Sequence, residues 1–209
     1  MLLYSRIVTL TGSPRQIMPW ATEITAYVNA HTDLHVSLWA ADFGYPIGTM
    51  AWSARVESQA AFVGAIAPLL ADDGYLDLLE TAATLVSAPG EDSMRELVYG
   101  TPGEPPPLGA VARLTTATAE ADRIGDAIGW AVEIAQYVAG VMESPVSVFT
   151  EMFGGMGRIV WIGSQANIVA AEAAAAKGAG DVGYLSRLAA SKGLFIPGSG
   201  HVTQATRVA

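Results

Sequence analysis

No cysteine occurs among the 209 residues. Disulfides, thiolate nucleophiles and zinc–thiolate centres are thereby excluded. Positive charge is also scarce, with 11 Lys and Arg against 20 Asp and Glu and a net charge of -9. No basic cluster offsets phosphate repulsion, so neither nucleic acid nor an anionic membrane is expected as a partner. Charged residues make up only 15% of the chain and apolar residues 51%, which excludes a disordered polymer and suits a well-buried core. Long apolar runs are missing as well. The alanine-rich stretch near 170–176 is interrupted by Glu172 and followed by Lys177, short of the roughly 18 apolar residues of a membrane-spanning helix. The opening Met1-Leu2-Leu3-Tyr4-Ser5-Arg6 has no basic segment ahead of an apolar one. No signal peptide is read there, and a cytoplasmic location is expected.

Signatures of bound groups are equally sparse. There are three histidines. His31 and His35 are four apart, but Thr32-Asp33-Leu34 between them marks a helix-to-strand junction, so the two side chains need not share a face. His201 opens the last predicted strand, and nothing marks it as a haem ligand. Gly154-Gly155-Met156-Gly157 falls between two predicted strands, whereas a phosphate loop lies between a strand and a helix N-terminus. Pro197-Gly198-Ser199-Gly200 lacks the hydrolase elbow pattern. No metal and no cofactor are expected.

What the chain does contain is a repeat. Trp20-Ala21-Thr22-Glu23-Ile24-Thr25-Ala26-Tyr27-Val28 matches Trp130-Ala131-Val132-Glu133-Ile134-Ala135-Gln136-Tyr137-Val138 at six of nine positions, with an offset of 110. Val36-Ser37 meets Val146-Ser147, and Phe43-Gly44 meets Phe153-Gly154, at the same offset. At an offset of 109, Trp52 meets Trp161 and Gly74-Tyr75-Leu76 meets Gly183-Tyr184-Leu185. Several matches in one order at a nearly constant offset imply a duplicated unit.

Each repeat reads alike. Strands are predicted over 3–10 and 109–116, and helices over 14–30 and 122–142. Ser13 ahead of Pro14 suits an N-cap followed by proline at the first helical position. Hairpin strands are predicted over 34–43 and 49–56, and over 145–153 and 158–164. Long helical regions over 59–86 and 168–192 each carry a glycine before a Tyr-Leu pair, where a break is expected. Closing strands fall over 94–99 and 201–208. The order β-α-β-β-α-β is the ferredoxin-like motif. Two such units are expected, 1–99 and 109–209, joined by a proline-rich linker over 100–108. Trp39, Phe43, Phe149 and Phe153 alternate with Val36, Leu38, Val146 and Val148, so both sheet faces carry large apolar groups. One face requires helices, and the other requires a second sheet.

In this the chain resembles the dimeric α+β barrel group, which includes NIPSNAP-like proteins and antibiotic-biosynthesis monooxygenases. The resemblance lies in topology and repeat length over nearly the whole chain. It implies an α+β fold of two tandem ferredoxin-like units packed sheet to sheet as a barrel. It also implies a small hydrophobic, oxygen-bearing ligand handled by cofactor-independent oxygenase or isomerase chemistry, and self-association as a homodimer.

Charges inside strands supply the site candidates. Arg6 and Arg113 sit mid-strand in matching segments, and Glu151 shares a strand face with Ser147, Phe149 and Phe153. Two readings stand. In one, Arg6, Arg113 and Glu151 supply the polar contacts of a pocket between the sheets, with Trp39 and Phe149 as its walls; an arginine fork suits carboxylates and polarised oxygens. In the other they are structural ion pairs in a non-catalytic protein of assembly or regulation, its core simply filled. The paired tryptophans are read as packing, since a residue kept in both repeats serves both.

Overall fold

A computed structural model describes residues 1–101 and 104–209. Of the predicted linker, Pro102 and Gly103 lie outside the described residues.

The element order is β1 (Leu2–Thr9), α1 (Pro14–His31), β2 (Ser37–Phe43), β3 (Thr49–Val56), α2 (Gln59–Ile66), a 3-10 turn (Ala67–Ala71), α3 (Asp73–Leu85) and β4 (Glu91–Tyr99). It recurs as β5 (Val111–Thr118), α4 (Ile124–Met142), β6 (Val146–Glu151), β7 (Arg158–Gln165), α5 (Ile168–Ala179), α6 (Val182–Ala190) and β8 (His201–Arg207). The fold is α+β. Its strands are hydrogen-bonded in the order β1-β3-β2-β8-β5-β7-β6-β4, a closed barrel.

The chain forms two compact units. The first comprises Met1–Ala41, Tyr45–Met94 and Arg207–Ala209; the second comprises Asp42–Gly44 and Arg95–Thr206. In the first unit, β3 pairs antiparallel with β1 and β2, so that Arg6 and Leu38 both stand opposite Trp52. The C-terminal residues belong to this unit, where the Leu38 N–H donates to the Ala209 carbonyl (2.8 Å) and the Val208 N–H to the Leu38 carbonyl (2.9 Å). In the second unit, β7 pairs with β5 and β6, and β5 pairs with β8.

Tryptophans bind helices to strands in both units. Trp52 Nε1 on β3 donates to the buried Thr25 Oγ1 of α1 (2.8 Å), and Trp20 Nε1 on α1 donates to the Leu78 carbonyl of α3 (2.9 Å). Trp161 and Trp130 do the same in the second unit, to the carbonyls of Ala131 (3.0 Å) and Arg187 (3.1 Å). Each indole thus adds a directional bond to the apolar area it buries.

The long helical regions are broken two residues before the glycines. Asp72 caps α3 through the Tyr75 N–H (2.9 Å), and Asp181 caps α6 through the Tyr184 N–H (2.6 Å). Each carboxylate also accepts a hydroxyl, from Tyr27 and Tyr137 respectively. These bonds hold both carboxyls below their ordinary range. The glycines answer a different need. A Cβ on Gly183 would stand 2.0 Å from the Tyr137 hydroxyl, and one on Gly74 2.5 Å from that of Tyr27.

Candidate functional site

Alternation along β1 puts Tyr4, Arg6 and Val8 on one sheet face, the face Trp52 shares. The helices of the first unit cover this face without filling it. A cavity of about 400 Å³ remains, lined by Val8, Trp52 and Val86 and, from the helices, by Trp20, Phe62 and Leu79. Phe62 packs against Tyr4 with ring centroids 4.2 Å apart. The charged groups at its wall are Arg6 and Asp92.

These two form a clamp. Arg6 Nε and Nη2 donate to the two carboxylate oxygens of Asp92, each at 2.7 Å, and the Tyr4 hydroxyl donates to Asp92 Oδ1 at 3.1 Å. Both ionic side chains are about half exposed (46% and 50%), so the clamp sits where the cavity meets water. Its geometry is the bidentate one that fixes a guanidinium in orientation. Asp92 is held below the usual carboxylate range, chiefly by the Arg6 bonds and against some desolvation. Burial pushes the Tyr4 hydroxyl well above the ordinary phenol range, so it remains a neutral donor. Arg6 is raised too, first by its bond to Asp92. The clamp is neutral as a pair and keeps its charges across the physiological range. Nη1 of Arg6 takes no part in it.

Of the residues singled out in the sequence, Arg6 lines this cavity. Glu151 pairs instead with Arg95, its opposite number on β4, at 3.1 Å; their side chains are 4% and 8% exposed. Arg113 is exposed and stands opposite Gly163 and Gln204. Arg6 and Arg113 occupy corresponding strands but not corresponding positions. Thr115 faces Trp161 as Arg6 faces Trp52, so the arginines differ by two residues of register. Trp39 stands opposite Ala51 and donates from Nε1 to Ser53 Oγ at 2.9 Å, on the sheet face away from Trp52. Phe149 is buried, opposite Val160 and Leu97.

Asp92 and Tyr4 escaped the sequence reading. Glu91 and Asp92 look like a solvated loop ahead of a strand expected at 94, yet β4 begins at Glu91. The one available signal was a tyrosine two residues before a mid-strand arginine, which implies a shared face. Among the described residues no three His, Asp or Glu side chains gather as metal ligands. His31 instead stacks on Tyr27, with centroids 4.1 Å apart. Among the same residues no helix is long and apolar enough to cross a membrane.

No family model matches the chain, and no curated protein does. Solved structures do share its fold. A candidate monooxygenase from Fusobacterium nucleatum superimposes with a TM-score of 0.70 over 100% of this chain and 92% of its own, at 8% identity. An anthrone oxidase-like protein gives 0.68 over 100% and 91%, at 12% identity. A major regulator of staphylococcal pathogenesis gives 0.60 over 100% of both chains, at 8% identity. These structures share its α+β barrel fold. At such identities the likeness is one of architecture, and architecture carries unrelated activities.

Proposed function

We propose that the cavity of the first unit binds a small, hydrophobic, oxygen-bearing molecule and that the protein acts on it without a cofactor, as an oxygenase or isomerase. The observation that carries this is an apolar, aromatic-walled space of about 400 Å³ with a preset Arg6–Asp92 clamp at its wall. Apolar pockets with a few placed polar groups are the usual form of small-molecule sites. The neutral clamp suits a carbonyl or phenolic oxygen, since a carboxylate would bring uncompensated charge against apolar walls. An N–H pair on that carbonyl polarises it and acidifies the adjoining C–H, which both oxygenation and isomerisation require. Asp92, held low, orients Arg6 and is a poor base. The anthrone oxidase-like and monooxygenase neighbours support this reading; the staphylococcal regulator supports the alternative of a non-catalytic regulatory protein, which would act as a sensor, holding the molecule without turning it over.

Calorimetric titration with 1-tetralone, a neutral aryl ketone, tests binding. Arg6→Leu should weaken it ten- to a hundredfold, the worth of one hydrogen bond to a charged group (~1.5–3 kcal/mol). Oxygen uptake with anthrone in chelator-treated buffer tests turnover. Binding without uptake favours the sensor, and no binding of either compound sinks the proposal.

A further inference from the structure

The two units build the same aromatic corner. Trp20 and Trp52 stand 5.9 Å apart at 74°, and Trp130 and Trp161 stand 6.0 Å apart at 82°. Each unit then bridges the residue after its first strand to one residue beyond its last helices: Leu10 to Val86, and Ala119 to Phe195. Val86 and Phe195 hold the same post, at the offset of 109 that also relates Trp52 to Trp161.

What differs is the volume at that post. The Phe195 ring stands against both indoles, 5.4 Å from Trp130 and 5.9 Å from Trp161, tilted to each by more than 60°. In the first unit Val86, Trp20 and Trp52 instead border open cavity. The strand wall differs in chemistry, with Thr115 facing Trp161 where Arg6 faces Trp52.

We infer that this one position decides which unit takes a ligand: Phe195 is a built-in occupant of the second unit's counterpart pocket, and Val86 keeps the first unit's pocket open. Among the described residues the first unit thus carries the open site and the second its latent counterpart. On its strand wall the latent site carries Thr115 at the position of Arg6 and Arg113 at the position of Tyr4, so its polar group is displaced by two residues. The inference rests on the proposed function only in calling the open cavity a ligand site; its claim about space stands apart.

Xenon tests the space directly, because it settles in apolar cavities whatever their natural ligand. Crystals of the wild type under xenon pressure should show the gas beside Trp20 and Trp52 and none beside Trp130 and Trp161. Val86→Phe should abolish the first site, its new ring finding the same two-indole corner. Phe195→Val, or the milder Phe195→Leu if the valine variant fails to fold, should create the second. Xenon beside Trp130 and Trp161 in the wild type, or undiminished beside Trp20 and Trp52 in Val86→Phe, overturns the inference. A wild type that shows the expected xenon pattern but binds no 1-tetralone upholds it while removing the ligand reading above.

Discussion

Arg6 was visible from sequence as a charge placed mid-strand, where its cost demands a partner. The partner was not visible. Strand pairing between β1 and β4 spans more than eighty residues of chain, and Asp92 carries no local mark that distinguishes it from Glu91 beside it. The clamp it forms has a defined pH signature. The folded Asp92 carboxyl is depressed, so its contribution is fully present above the unfolded value of about 3.9 and is lost as pH falls through the lower folded value. Tyr4 and Arg6 are both shifted upward and add no titration near neutrality. Affinity for a neutral ketone should accordingly be flat from pH 5 to 8 and fall only in acid. Asp92→Asn should remove that acid limb at a small cost in stability, on the order of 1 kcal/mol or less for a half-exposed pair. An affinity that titrates near pH 7 would show that another group governs binding.

At the scale of elements, the helices and strands follow the apolar periodicity closely, and the glycine before each Tyr-Leu pair announced a break. The break lies two residues earlier because Asp72 and Asp181 cap the helices that follow. The glycines are there to admit a tyrosine from α1 or α4. Gly183→Ala forces its methyl into the Tyr137 hydroxyl and should destabilise the protein by about 1–3 kcal/mol, as overpacking does. Gly183→Ala combined with Tyr137→Phe should recover part of that loss, since the clashing oxygen is gone. Asp181→Ala should lower stability as a lost N-cap. Thermal or urea unfolding of these variants checks all three outcomes. Strictly additive effects of Gly183→Ala and Tyr137→Phe would contradict the close approach.

At the scale of the molecule, the α+β barrel was legible because the matching segments are carried by residues that pack, above all Trp20, Trp52, Trp130 and Trp161. The ion pairs were not, because each is closed by a strand distant in sequence. The sequence groups Glu151 with Arg6 and Arg113; its partner is instead Arg95, through the pairing of β4 with β6. Both charges are nearly sealed from water, so removing Glu151 takes from Arg95 a carboxylate that water does not replace. Glu151→Leu should destabilise the protein in denaturant unfolding, and by more than joint replacement of Glu151 and Arg95 by apolar residues. A double variant as unstable as the single one would mean that the pair contributes more than mutual neutralisation.

The two indole corners also give the molecule an internal optical reference. Their near-perpendicular pairs absorb and fluoresce in nearly equivalent geometries, yet Phe195 covers one pair while the other borders open space. A ligand seated in that cavity would meet Trp20 and Trp52, which line it, and would not touch Trp130 and Trp161. Light absorbed by the aromatic corners thus divides into a reporting half and a silent half, and the silent half calibrates the other without any added label.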